Sequence, residues 1–469
     1  MTGGFGRFLT ATAVSDTANG VFAVAATMMV AQHTHSSVAV AAVTVAATLP
    51  WLVAAVPAGV VVDRMDPVRA LTLANAGRCV GMLALAVLIW TGTAVLVMAP
   101  VLVFVVAALQ TVVDTAAEVV TADAVEEERR TRANGFLAVS TRLFYQFLGP
   151  ALAGVLVDVH QALPGLVAGL ACLAAALVAA QVRTGARPLA ARDGSAAPTG
   201  WWTGTRLVFA RPVLATLVGV GGLTTIANSI FYTIFIVYAV KPGELGLSSS
   251  QYGFLVGATG VGAALGALAT HRVERLLGRS WTLTLTRVGW ALVFAGPLIA
   301  DGALLVLLMA AGSALGGMWS VEAMSVRQLT VDRTDLGRVS GASRMLTYGM
   351  TPVGSALGGV LSLTVDAEAL FTVCAALALL AIVPLRLFLS DRAIDEAARV
   401  VARTGAGAPD RARRAKRGTA VTTATGGTGG DPLAALGSPR ARRATRPPGG
   451  RPRFLVTPHR EKPGQPRNR

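Results

Sequence analysis

Charged side chains stand inside stretches that are otherwise apolar, among them Asp16, Arg78, Asp114, Glu118, Arg142, Arg287, Glu322 and Arg344. A charge at the centre of a bilayer costs about 2.5–3.5 kcal/mol on insertion scales, so such groups face a cavity or a partner. Gln110, Asp114 and Glu118 follow one another at i,i+4 and form one polar stripe on a helix. Lipid cannot solvate that stripe, so it is expected to face the interior of a bundle. A carboxyl takes up or releases a proton as its hydration and its neighbouring charges change, which is the chemistry that proton coupling requires. Asp16, with no basic neighbour on its own helix, is the first candidate for that role. Asp114 is the second, and Glu118 and Glu322 follow. By helical rise Asp16, Asp114 and Arg142 each lie about 10–13 Å from a helix end, and Glu118 about 5 Å. Asp114 and Arg142 sit on adjoining antiparallel stretches and could meet, which would make them structural. Arg78, Arg287 and Arg344 complete the candidate charge partners. A static ion pair, or a polar group snorkelling to the interface, accounts for any one of these acids equally well.

The elements carrying these groups are twelve apolar stretches, at about 8–31, 38–62, 70–91, 95–121, 135–157, 162–182, 212–240, 251–271, 281–300, 303–325, 339–363 and 367–389. Each approaches the roughly 20 residues that a helix needs to cross a hydrocarbon core about 30 Å thick. The gaps between them alternate. Besides histidines the odd gaps together hold one basic residue, Lys241, whereas the even gaps hold Arg64 and Arg69, then Arg129, Arg130 and Arg132, and so on to Arg338. Positive charge resists translocation, so the even gaps and both termini are expected in the cytoplasm, with the chain in the inner (plasma) membrane.

The chain is 53% hydrophobic and 14% charged, which excludes an ordinary soluble domain. Of its net charge of +16, residues 391–469 supply +12, from 18 Lys and Arg against 6 Asp and Glu. Their Gly/Pro-rich runs cannot bury enough surface to fold alone, so a disordered tail is expected, able to lie on anionic lipid headgroups. It carries no nucleic-acid reading motif, so no nucleic-acid partner is expected. Cys79, Cys172 and Cys374 lie in apolar stretches without metal-ligand spacing, and no metal site is expected. There is no phosphate-binding loop and no catalytic constellation, so the expectation is not an enzyme, with no cofactor and the proton gradient as energy source. Residues 183–211, with Pro188, Gly194, Pro198 and Gly200, read as a cytoplasmic linker between bundles at 1–182 and 212–390. Residues 148–156 (LGPALAGVL) and 353–361 (VGSALGGVL) match at six of nine positions, at equivalent places in the two halves. Internal repeats of this kind build many secondary transporters.

The loop after the second stretch reads GVVVDRMDPVR, Gly59 to Arg69. Here the sequence resembles the major facilitator superfamily, whose signature is G-x-x-x-D-R-x-G-R-[RK]. Gly59, Asp63 and Arg64 match, Asp66 replaces the second glycine, and the basic residue is displaced to Arg69. This variant looks like the branch of drug exporters that includes macrolide-efflux and enterobactin-export proteins. The resemblance covers about residues 1–390. It implies a latch: Gly59 allows close helix approach, Asp63 faces the positive end of the eleventh helix, and a motif arginine meets Asp123 at the end of the fourth. The second half has no acid at the matching loop position. Gly149, Pro150 and Gly154 resemble the end of the antiporter signature of facilitator-type exporters, although Tyr145 and Ala153 stand where glycines are expected; a packing kink is the alternative.

These readings together predict an all-α membrane protein of twelve helices in two pseudo-symmetric six-helix bundles. The resemblance implies export of a bulky, largely apolar small molecule, such as an antibiotic or secondary metabolite, in exchange for protons. The chain is expected to act as a monomer. Few Asn, Gln and charged residues at mid-membrane argue against uptake of a polar nutrient. The alternatives are a siderophore exporter and a non-transporting scaffold or receptor with the same fold.

Overall fold

In hydrocarbon no water satisfies peptide N–H and C=O groups, so long apolar stretches become helices that pair these groups internally. A computed structural model describes residues 3–92, 95–124, 140–182, 201–332, 335–399 and 401. Among them nine helices are long and apolar enough to cross a bilayer, and the second, sixth and eleventh spans are shorter or broken. In chain order the spans are Gly3–Thr34; Ser37–Thr48 continued by Pro50–Val53 and Ala55–Arg64; Pro67–Thr91; Val95–Ala124; Thr141–Leu148 continued by Gly149–Val159; Leu163–Ala179; Pro212–Ala239; Ser249–Leu277; Arg279–Ile299; Gly302–Thr330; Leu336–Tyr348 continued by Met350–Leu361; and Ala367–Leu380 continued by Ile382–Phe388. They are called spans one to twelve below.

Span two is not one continuous helix, as the apolar run had implied. Pro50 has no N–H to donate, and the helix restarts there and again at Ala55. Span five begins as a π-helix, Thr141–Leu148, and becomes α-helical at Gly149, with Pro150 in its first turn. Span eleven breaks at Gly349. The linker is ordered at its end: Trp201–Ala210 is a helix that packs against span eleven. The tail also begins later than residue 391. Residues 391–399 are helical, Ile394 is buried in an apolar cluster with Leu385 and Leu389, and Asp391 accepts a hydrogen bond from Ser280 N–H at 3.0 Å. Residues 183–200 and 402–469, with the expected linker flexibility and tail disorder, lie outside the described residues.

The LGPALAGVL/VGSALGGVL repeat lies at the contact between the two halves. Residues Gly149–Val159 of span five pack on span eight, and Met350–Leu361 of span eleven pack on span two. Equivalent glycines do equivalent jobs. A side chain on Gly154 would meet the Ser249 backbone, and one on Gly359 would meet Ala41. Gly149 lies against Gly20 of span one, and Gly354 against Ile226 and Ser229 of span seven. Small residues let these backbones approach where larger ones would hold them apart.

Candidate functional site

A cavity of about 1470 Å³ lies between the halves. Toward the face bearing the arginine loops it is lined by Trp51, Glu118, Arg344 and Tyr348, all exposed, so it opens there. At the opposite face the halves close on one another. Asp158, at the end of span five, accepts the Ser249 and Ser250 N–H groups at 3.0 and 2.9 Å, and the Ser250 hydroxyl as well. Gln32 donates to Ser249 Oγ at 2.9 Å and accepts from Gln161 at 3.3 Å. A carboxylate at the amino end of span eight is held by its free N–H groups and by the helix dipole. This lock was not read from the sequence, although an acid at one span end and a serine run at the start of another, Ser248 to Ser250, were its signal.

Each predicted polar residue now has a place. The stripe Gln110, Asp114 and Glu118 faces the cavity, as the spacing required, and Asp16 joins it from span one. Thr141 Oγ1 donates to Asp16 at 3.0 Å, and Gln110 Nε2 to Asp114 at 2.7 Å. Asp114 and Arg142 do not pair. Arg142 extends to Ser320 of span ten, 3.5 Å away, because the wider π turn at the start of span five presents it to the other half. Arg344 lines the cavity. Glu322 does not: it is fully buried, with neither carboxyl oxygen hydrogen-bonded, and its helix neighbours Ala323 and Val326 belong to an apolar cluster.

Arg78 and Arg287 are both fully buried and bound to neutral groups. Arg78 donates to Ser15 at 2.8 Å, Asn75 at 3.0 Å and Asn19 at 3.4 Å. Arg287 donates to Thr224 and, at 3.0 Å, to Thr286, and stacks on Trp319 with its guanidinium 4.1 Å from the ring centre. Both hydroxyl partners lie 63 residues before their arginine. Span one reads SDTANGVF over 15–22 and span seven TTIANSIF over 224–231, so Ser15, Asn19 and Arg78 correspond to Thr224, Asn228 and Arg287. This second repeat also escaped the sequence reading. It breaks at two points: Asp16 corresponds to Thr225, and Asn228 Oδ1 and Arg287 Nη2 are buried without partners.

Of the expected latch residues, Gly59 has nothing within 4 Å of where a side chain would begin. Arg64 and Arg69 are exposed. Asp66, the departure from the signature, caps span three by accepting the Arg69 N–H at 2.9 Å. The side chains of Asp63 and Asp123 lie outside the described residues. Aromatic residues divide into two groups. Phe22, Trp51, Tyr145 and Tyr232 line the cavity, joined by Tyr252 and Tyr348. Phe231 and Phe235 instead stack with Phe294 and Phe371 in the core. The wall is more polar than expected, since Asn19, Gln110, Gln146 and Asn228 converge on it with ten Ser and Thr side chains. Among the described residues no group of His, Cys, Asp and Glu is arranged to hold a metal ion.

The sequence pattern of the Major Facilitator Superfamily matches residues 8–243 and again 223–440. The chain belongs to that superfamily. Its fold is shared with solved facilitators at low identity. The nucleoside transporter NupG superposes with a TM-score of 0.66 at 10% identity, covering 82% of this chain and 99% of that one. A bacterial homologue of the iron transporter ferroportin, in an inward-facing state, gives 0.62 at 16% identity, covering 81% and 97%. A bacterial homologue of the human lysosomal transporter Spinster, inward-facing and unoccupied, gives 0.60 at 11%, covering 86% and 98%. No curated protein matches the sequence. This facilitator is therefore an integral membrane transporter and not an enzyme.

Proposed function

We propose that this facilitator exports a bulky small molecule, an antibiotic or secondary metabolite, across the cell membrane in exchange for protons. Both termini and the cavity mouth would face the cytoplasm, following the arginine distribution. The observation that carries the reading is Asp16 on the cavity wall, hydrogen-bonded to Thr141 of the π-helical stretch of span five. Span five also packs on span eight of the other half, so rocking of the halves acts on the groups around Asp16. Changed hydration and hydrogen bonding at a carboxyl alter its hold on a proton, which links transport to the gradient. The polar wall favours an amphipathic cargo over the largely apolar one expected from the sequence. It also removes the objection to uptake of a hydrophilic solute, so direction must be measured.

The test is a drug panel in a sensitised host followed by vesicles with an imposed pH gradient. Wild type is expected to confer resistance and to move substrate against protons, and Asp16→Asn to lose gradient-driven movement while still reaching the membrane. Undiminished gradient-driven transport in Asp16→Asn would remove it as the coupling acid. A protein that moves neither drug nor protons is a scaffold or receptor.

A further inference from the structure

The cavity wall is electrically two-sided. The first half contributes Asp16, Asp114 and Glu118, whereas the second contributes Arg344 and no acid. Arg142 belongs to span five but carries its charge across to Ser320, so it adds to the second side. Among the described residues the ion pairs are Glu274 with His271 and Arg279, and Asp335 with Arg338, so none joins one cavity charge to another. Buried Arg78 is near enough to Asp16 and Asp114 to offset part of the acidic side, but one arginine against three acids leaves that side negative; its counterpart Arg287 has no such acid beside it.

While the cavity is wet, water solvates both sets of charge. A bulky cargo expels that water, and any wall charge it leaves unmatched is then buried without a partner, which is costly. A purely cationic cargo would leave Arg344 and Arg142 unmatched. A purely anionic one would leave the carboxyls. Protonation of Asp16 neutralises one acid and still leaves Asp114 and Glu118 opposite the arginines. The same wall carries Asn19, Asn228, Tyr145 and Tyr232, which offer hydrogen bonds and ring faces to the uncharged part of a cargo.

We infer that the cargo is amphoteric: a bulky ring system carrying a protonated amine, held by Asp114 and Glu118, and a carboxylate or similar anion, held by Arg344 and Arg142. The inference rests on the reading of this cavity as the cargo site and specifies what binds there.

The experiment measures binding to the purified full-length protein at neutral pH, with no gradient. The probes are ciprofloxacin, which carries both charges, its methyl ester, which lacks the anion, and its N-acetyl derivative, which lacks the cation. A charged hydrogen bond is typically worth a factor of about ten or more, so the parent is expected to bind at least about tenfold more tightly than either derivative. Arg344→Gln should bring the parent down to the affinity of the ester and leave the ester unaffected. Asp114→Asn should bring it down to the affinity of the N-acetyl compound. Equal binding of the three probes, equal loss of parent and ester in Arg344→Gln, or no measurable binding of any probe overturns the inference. Export by proton exchange is read separately in the vesicle assay, so either result can fail without the other.

Discussion

At Arg78 a full charge sits in the membrane interior and, among the described residues, forms no ion pair with a carboxylate. Ser15, Asn19 and Asn75 take its place, each presenting an oxygen to a guanidinium N–H. The repeat sets up a comparison that a single site could not. Asn19 accepts from Arg78 at 3.4 Å, whereas the corresponding Asn228 Oδ1 accepts from nothing. Leaving a buried charged donor unpaired costs about 1–3 kcal/mol, so Asn19→Ala should lower the melting temperature of the detergent-purified protein measurably. Asn228→Ala removes no hydrogen bond and should lower it less. Equal effects would show that the long Asn19 contact contributes nothing. The i,i+4 stripe on span four was legible at this scale, because helical spacing puts its members on one face. The target of Arg142 was not, since a π turn changes the direction of a side chain without any mark in residue type.

At the scale of elements, closure of the face opposite the arginine loops is one-sided in its hydrogen bonds. Spans five and eight and spans eleven and two meet through matching glycines, but only the first pair has an acid at the seam. The position corresponding to Asp158 in the second half is Leu363. Asp158→Ala removes the acceptor of two N–H groups at the start of span eight. A loss of about 1–3 kcal/mol from the state closed at that face raises the open population roughly 5- to 150-fold, provided that state is the minor one. Thr27 lines the cavity, and the three native cysteines are buried. A cysteine introduced at Thr27 should therefore react faster with an impermeant reagent from outside intact cells once Asp158 is replaced. An unchanged rate would mean that glycine packing alone holds the seal. The LGPALAGVL repeat announced equivalent helices in the sequence. That each copy contacts the opposite half could not be read there, because the partner of a small-residue face is decided by helices far along the chain.

For the whole molecule, two segments outside the spans pack onto the second half. The Trp201–Ala210 helix lies against span eleven, and the 391–399 segment closes over the start of span nine through Asp391 and Ile394. Truncation after Val401 is expected to leave membrane insertion and transport intact. Truncation after Ser390 removes the Ser280 acceptor and exposes the apolar cluster around Leu385, so lower yield and a lower melting temperature should follow. Equal behaviour of the two truncations, measured by fluorescence-detected size exclusion and vesicle transport, would show that the segment contributes nothing.

The number of crossings and the arginine face were readable along the chain, because the bilayer acts as solvent on each segment separately and each segment answers with its own composition. Pro150 also stood out in the sequence, and it lies in the first α-helical turn after the π-helical stretch of span five. Packing settled the remainder. Helical spacing assigns a residue to a face of its own helix, but the rotation and tilt of that helix depend on neighbours two hundred residues away. That is why Asp114 faces a cavity beside Gln110 instead of an arginine, why Glu322 is buried away from it, and why hydroxyls scattered through apolar stretches gather on one polar wall.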